Sequence, residues 1–225
     1  GEISFSAQSV EKFSDKAKAD LASQKVMESG KVTVSELERK TVNQEPPLLY
    51  DLTALQKEAN TKLNFSADKT LTLAQTLYEK KVLSYPRTGS RYISEDVFEE
   101  MPERIALLAR YPRFAAYAAA MDTSSLNHRP VNDAKVTDHH ALIITEILPG
   151  ELSSDECAIY ELVAGRMLEA FSEKCIKEVT SAKLDSEGIL FAVKGSVIKF
   201  FGWRSVFNSE EEGEDNTVLP ELEEG

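Results

Sequence analysis

Six residues, Tyr85-Pro86-Arg87-Thr88-Gly89-Ser90, place a phenol and a guanidinium two positions apart around a proline. Proline fixes its own φ at about −65° and pushes the residue before it toward extended backbone. Side chains at i and i+2 of an extended segment point the same way, so Tyr85 and Arg87 are expected to face one ligand. A phenol can attack phosphorus, and a guanidinium can grip two phosphate oxygens at once. A free phenol is protonated at neutral pH; a guanidinium beside it favours the phenolate and offsets charge building on phosphorus. The pair therefore suggests covalent chemistry on a phosphodiester. The alternative is a surface turn in which neither side chain does chemistry, since a short motif is only a hypothesis.

The elements that must hold these residues are mostly helical. Asp51 or Thr53 caps a helix carrying Leu52, Leu55, Ala59 and Leu63 at helical spacing. Ser66 caps the next, with Thr70, Ala74, Leu77, Tyr78 and Lys81 along one face, ending just before Tyr85. Ser94 begins another, Pro102 a fourth through Ile105, Leu108 and Ala109, and Pro112 the alanine-rich Arg113–Met121. Residues 122–138 read as loop, and His140–Ile147 as a buried strand or extended segment. Ser154 caps a long helix bearing Ile159, Leu162, Val163, Met167, Ala170 and Phe171.

The period changes on either side of this block. Residues 11–25 read as a polar helix or mobile segment, and Lys31–Val34 as a strand reaching toward Leu37. Thr180–Leu184, Leu190–Val193 and Val197–Phe201 alternate as strands, with Asp185-Ser186-Glu187-Gly188 as a hairpin turn. The fold class is mixed α and β. A helical domain, 47–176, is inserted into a small β-rich domain made of 1–46 and 177–208, followed by an acidic linker at 209–225.

The 225 residues, 42% of them hydrophobic, can bury a core. No apolar run is long enough to cross a membrane, and no secretory signal opens the chain; Gly1 and Glu2 read as a cut edge. Cys157 and Cys175 fall on one expected helix, roughly 27 Å apart at its rise per residue, beyond disulfide reach. They are expected to be reduced and structural, which fits the cytoplasm. Net charge is −12, and eight of the acidic side chains lie in 209–225; taking those eight from −12 leaves −4 elsewhere. Weak, salt-sensitive DNA binding is the expectation, with few cations carrying it: Arg87, Arg91, Arg129 and Lys135.

Pro46-Pro47-Leu48-Leu49-Tyr50-Asp51-Leu52, Ala74-Gln75 with Leu77-Tyr78-Glu79, the Tyr-Pro-Arg core and Lys135–Thr145 with His139-His140-Ala141 follow one another in order. This set resembles the type IA DNA topoisomerases, most of all their bacterial topoisomerase III branch. The match is strong over 46–146 and weaker to about Val206. The resemblance implies that Tyr85 is the nucleophile, attacking one DNA strand and holding its 5′-phosphate as a phosphotyrosine. The 3′-hydroxyl is released, a second strand passes, and the hydroxyl reverses the step without ATP. It implies that Arg87 and His139 act at the phosphate, the imidazole as a phosphate contact or proton shuttle. Thr88, Ser90, Arg91, Lys135 and His140 are the DNA-binding candidates; for Thr88 and Ser90, local capping is the equal alternative. It also implies a helical domain hanging from a β-rich arch.

Two positions depart from the family. Gly89 stands where many relatives have an acidic residue, which puts any ion or proton role there in doubt; a tight turn would explain the glycine. Ile144 replaces a proline common in this block. The family holds magnesium on an Asp-x-Asp set in a separate toprim domain, and no Asp-x-Asp occurs here. No metal is therefore expected on this chain, and relaxation by it alone is not. Expected partners are single-stranded DNA and the missing toprim domain, with the chain a monomer away from membranes.

Other readings exist for the same residues. Tyr92, Tyr111, Phe114 and Tyr117 could stack on bases or simply pack. Glu95, Asp96, Glu99, Glu100 and Glu103 read as a solvated face. A non-catalytic single-stranded DNA-binding or gate module would share the fold. A tyrosine recombinase would need a His-x-x-Arg box, which His139-His140-Ala141-Leu142 does not supply. An acidic protein-interaction domain is suggested only by the tail.

Overall fold

The computed structural model describes residues 4–207 and 219–225. They divide into two units: residues 4–44, 175–201 and 219–225 form one, and 45–174 with 202–207 form the other.

The first unit contains β1 (Gln8–Ser9), α1 (Lys16–Ser29), β2 (Thr33–Gln44), β3 (Cys175–Ser186) and β4 (Ile189–Phe200). The strands make one antiparallel sheet in the order β1-β4-β3-β2. Glu187 and Gly188 turn the β3–β4 hairpin at φ 52 and 80°. Two positive-φ residues suit the right-handed twist of the flanking strands, and the Asp185 carboxylate accepts the Gly188 N–H at 2.8 Å. The alternation that separates Leu190–Val193 from Val197–Phe201 does not mark two strands. Lys194, Gly195 and Ser196 stay in the ladder opposite Ser181, Thr180 and Val179, because pairing uses backbone groups that every non-proline residue carries. Strand β2 likewise runs past Leu37 to Gln44 with mostly exposed polar side chains.

Ala182, Leu184 and Val193 form the buried centre of this unit, with Phe5, Val34, Leu37, Leu219 and Leu222 against it. The expected acidic linker falls largely at 208–218, outside the described residues. Its last part is not free chain. The Leu222 carbonyl accepts from Arg39 at 2.9 Å, the Glu224 carboxylate from Leu37 N–H at 3.1 Å, and Gly225 N–H donates to Val34 at 3.2 Å.

The second unit carries α2 (Leu52–Leu63), α3 (Ala67–Glu79), α4 (Glu95–Glu99), α5 (Met101–Leu108), α6 (Ala115–Ala120) and α7 (Ser154–Phe171). Asp51 caps α2 by accepting Ala54 N–H at 2.6 Å, and Ser66 caps α3 through Lys69 N–H at 3.1 Å. Helix α7 begins one residue earlier than its sequence suggests. Ser153, not Ser154, is the cap, in a reciprocal box with Glu156. Helix α7 is the centre of the core, with Ile159, Val163, Met167 and Leu168 fully buried. Cys157 lies on α7, but Cys175 is the first residue of β3, so the two do not share a helix, and neither is in a disulfide.

The Glu156 carboxylate serves both the cap and an ion pair. Lys80 Nζ donates to it at 2.6 Å and Ser153 N–H at 2.8 Å. The Lys80 bond first, then those from Ser153, hold its pKa at about 2 against an ordinary 4.5. A carboxylate lowered on folding adds stability that is complete above its unfolded value and disappears as pH falls through the folded one. Acid unfolding should therefore lose a contribution between pH 4.5 and about 2. Urea midpoints measured across that window are expected to fall less steeply in Glu156→Gln than in the parent.

Three arginines fasten the extended lead-in to α2. Arg91 donates to the carbonyls of Leu49 at 3.0 Å and Leu48 at 3.4 Å, Arg166 to Leu48 at 3.5 Å, and Arg129 to Pro46. A proline-rich extended stretch makes few ladder bonds of its own, and buried carbonyls need donors.

The boundaries differ from the sequence reading by a few residues. Cys175 and Ile176 belong to the sheet, and 202–207 to the helical unit. Gly202 explains the second shift: its φ is 52°, and a Cβ there would lie 2.5 Å from the Lys174 carbonyl oxygen. The chain can turn back over α7 only through glycine.

Candidate active site

Helix α3 ends in a way that delivers Tyr85. Lys81 adopts a left-handed φ of 61°. Its N–H donates to Tyr78 at 2.8 Å, and Val82 N–H reaches back to Leu77 at 3.0 Å, a Schellman ending. The chain then runs beside the buried segment Ala141–Ile144. Thr145 N–H donates to Val82 at 3.2 Å and Ser84 N–H to Ile143 at 2.9 Å, and Leu83 bridges Ile144. Ser84 Oγ accepts Ile143 N–H at 3.0 Å and donates to the Ala141 carbonyl at 3.2 Å. The segment read as a strand or extended stretch is thus the template against which the nucleophile segment is laid.

Tyr85 is half-buried and its ring meets two others. The His139 imidazole lies 4.5 Å from it between centroids, and the Tyr78 ring 5.4 Å away at 76°. Among the described residues, none hydrogen-bonds the Tyr85 phenol oxygen, and none pairs with the Arg87 guanidinium, which is exposed. A phenol held by its ring with its oxygen unspent, two residues before an exposed cation, can engage a phosphodiester.

The other site candidates separate into two groups. Thr88 and Ser90 are buried, with hydroxyls committed to the backbone. Thr88 Oγ1 donates to the His139 carbonyl at 3.0 Å and accepts Ser90 N–H at 3.1 Å; Ser90 Oγ lies 2.9 Å from the Lys135 carbonyl. Arg91 holds the lead-in segment. The hydroxyls of Thr88 and Ser90 and two of the Arg91 donors are thus engaged by backbone groups within the chain.

Lys135 and His140 keep outward character. Lys135 is exposed, its ammonium 3.2 Å from the Tyr92 hydroxyl and 4.5 Å from that ring's centroid. His140 Nδ1 lies 2.7 Å from the Ala141 carbonyl, so that nitrogen carries the proton. His128, which looks isolated in the sequence, is paired with Glu95 at 3.1 Å and rests on Phe98. Tyr111, Phe114 and Tyr117 are packing residues: Phe114 is buried, Tyr111 packs on Tyr160, and the Tyr117 hydroxyl meets Ser172 at 2.7 Å. Tyr78 stands in the sequence only as part of a helix face and of the Leu77-Tyr78-Glu79 motif, with no role at the site, and Ser84 carries no sequence signal. The Leu77-Tyr78-Glu79 run and the seven-residue return to Tyr85 were the only signal.

Gly89 needs correction as a turn residue. Its φ is not left-handed, and a Cβ built on it meets nothing within 4 Å. The backbone does not require glycine there. Gly89→Asp is expected to leave the thermal midpoint unchanged within about 0.5 kcal/mol of stability, read by calorimetry on the chain.

Among the described residues, no group of three or more His, Cys, Asp or Glu side chains is arranged to hold a metal ion, and no helix is long and apolar enough to cross a membrane.

Comparison with known proteins agrees with this geometry. The profile of a family described as DNA topoisomerase matches residues 2–225. DNA topoisomerase 3 of Shouchella clausii is 36% identical over 220 residues, covering 96% of this chain and 30% of that protein. DNA topoisomerase 3 of Bacillus subtilis is 34% identical over 211 residues, covering 89% of this chain and 29% of its own length. The chain therefore spans about 30% of these curated relatives. Full-length topoisomerase I from Thermotoga maritima shares the fold, with a TM-score of 0.70 at 22% identity over 97% of this chain and 36% of that one. A phenol laid beside a His-His-Ala segment, on a helical unit interrupting a sheet, and similarity along nearly the whole chain place this protein in the type IA DNA topoisomerase family.

Proposed function

We propose that this chain supplies the nucleophile side of an enzyme that opens and reseals one strand of DNA. The observation that carries the reading is the uncommitted Tyr85 phenol oxygen beside the His139 ring. The phenol oxygen attacks the phosphorus; the bond from phosphorus to the 3′-oxygen breaks. The phenol loses its proton and the leaving 3′-oxygen gains one. One phosphodiester replaces another, so the strand can be resealed without an external energy source. Arg87 takes the negative charge of the phosphate as it builds. His139, whose imidazole can hold or pass a proton near neutral pH, stands at the leaving oxygen or the phosphate. Lys135 and His140 contact the strand beyond it, and the sheet unit forms part of the arch through which a second strand passes.

Among the described residues, no donor set is arranged for the magnesium this family implies. The toprim domain of the same enzyme would hold it and is the partner this reading requires. The 225 residues alone are accordingly expected to leave supercoiled plasmid unrelaxed at any ordinary magnesium concentration, scored on an agarose gel.

The test is trapping in the polypeptide that joins this chain to its toprim domain. A 3′-labelled single-stranded oligonucleotide should become bound to protein, with the nucleotide on the peptide containing Tyr85. A 5′-labelled one should yield a free, shortened strand ending in a 3′-hydroxyl. Binding without any adduct would leave a DNA-binding gate module as the better description.

A further inference from the structure

The Tyr85 ring is held by more than its own backbone. Tyr78 sits in the last turn of α3, seven residues earlier, and the Schellman ending brings the chain back beneath it. Its ring stands 5.4 Å from that of Tyr85 at 76°, the edge-to-face arrangement that aromatic quadrupoles favour. Tyr78 is 40% exposed, too open to be a core residue. Like the Tyr85 phenol, its hydroxyl has no hydrogen-bond partner among the described residues. Burial does not explain an aromatic ring at this position, and neither does a polar partner. Its ring contact with the candidate nucleophile does.

We infer that Tyr78 is a positioning residue whose ring edge sets the orientation of the Tyr85 ring and so the direction of its phenol oxygen. The inference deepens the proposed function and rests on it for its catalytic consequence only. The backbone of Tyr85 is pinned on one side by Ser84, yet the bonds of Ser84 fix the chain and not the side-chain torsions of Tyr85. Ring contacts with Tyr78 and His139 are what remain to select them. Small errors in the aim of a nucleophile lower rates steeply.

Two substitutions separate ring from bulk: Tyr78→Phe keeps the aromatic edge, and Tyr78→Leu keeps apolar volume without it. With 3-fluorotyrosine incorporated, the Tyr85 fluorine resonance, assigned by its loss in Tyr85→Phe, should shift in Tyr78→Leu and stay in place in Tyr78→Phe. In the polypeptide carrying the toprim domain, adduct formation should slow about tenfold or more in Tyr78→Leu, with oligonucleotide affinity within twofold of the parent. Tyr78→Phe should retain the parent rate. An unmoved Tyr85 resonance in Tyr78→Leu overturns the inference, as does a loss of rate equal in both variants, which would assign the effect to the hydroxyl. Should the parent form no adduct while the resonance behaves as expected, the positioning holds and the proposed strand cleavage fails.

Discussion

In the polypeptide that joins this chain to its toprim domain, replacing Tyr85 by phenylalanine is expected to abolish the proposed covalent adduct, a loss of at least about 10³-fold. The substitution removes one oxygen and keeps the ring, so its contacts with His139 and Tyr78 persist. Since no described residue hydrogen-bonds that oxygen, its removal leaves no buried partner unsatisfied. Stability should move by less than about 0.5 kcal/mol, and affinity for a single-stranded oligonucleotide should persist. Arg87→Ala should behave differently. It removes a charge that a developing anion needs, at a cost of about 10²–10³ in cleavage rate, and it should also weaken binding and its dependence on salt. Single-turnover cleavage assays beside binding measurements separate the two. A Tyr85→Phe protein that still forms adducts would move the nucleophile elsewhere.

Replacing Arg166 by methionine is expected to cost the helical unit about 3–5 kcal/mol, a large share of the ~5–15 kcal/mol that holds a typical domain together. Arg166 is nearly buried between Glu58 and Glu169, bonding Glu169 at 2.9 Å and also engaging Glu58. Its guanidinium lies 4.2 Å from the centroid of the Tyr50 ring and reaches the Leu48 carbonyl. Burial alone would raise the Glu58 carboxyl. The Arg166 charge, then Lys62 and the Tyr50 phenol, overcome that and leave it below its ordinary value. Burial drives the Tyr50 phenol far above the usual tyrosine range, so it stays a donor. Methionine keeps the unbranched stem of the lost side chain and none of its donors. Glu169 would then be left buried without its cation, and Glu58 with only the Lys62 ammonium.

The pH dependence follows in sign. Without Arg166, the buried carboxyls bind protons more readily in the folded chain than in the unfolded one, so the deficit grows as pH rises above the ordinary carboxylate range. In the parent, Glu58 is lowered, and its contribution is lost as pH falls below that range; burial holds Glu169 above its ordinary value even there, and losing the Arg166 charge raises it further. Both effects make the difference between variant and parent larger at neutral pH than in acid. Adding Glu58→Gln and Glu169→Gln to Arg166→Met should recover part of the loss at neutral pH. Denaturant midpoints at two pH values decide it, and a gap that does not narrow in acid would show that packing rather than charge is at stake.

Local chemistry was legible in the sequence where the cause is local. Asp51 and Ser66 mark helix starts because a short polar side chain before an apolar-periodic run serves the orphan N–H groups beside it. The hairpin at Glu187-Gly188 follows from the φ values those positions demand. The order of motifs around Tyr85 was readable for the same reason: each motif is a contiguous stretch whose residue types are fixed by a job done nearby.

What the sequence could not show depends on residues far apart along the chain. Thr88 and Ser90 look like free hydroxyls until the 139–145 segment arrives beside them and claims them. Arg91 looks like a phosphate ligand until the lead-in segment presents carbonyls that need donors. Gly89 looks like a turn and is not one, while Gly202, unremarked in the sequence, is required by the carbonyls of Glu173 and Lys174. Strands β2 and β4 extend beyond their apolar alternation because ladder bonds ignore side chains. By itself, the sequence determined the family and the helical block between strands. Only the tertiary structure decided which polar groups the fold consumes and which it leaves for a ligand, because satisfaction of a buried donor or acceptor is settled by whatever the folded chain brings within about 3 Å of it.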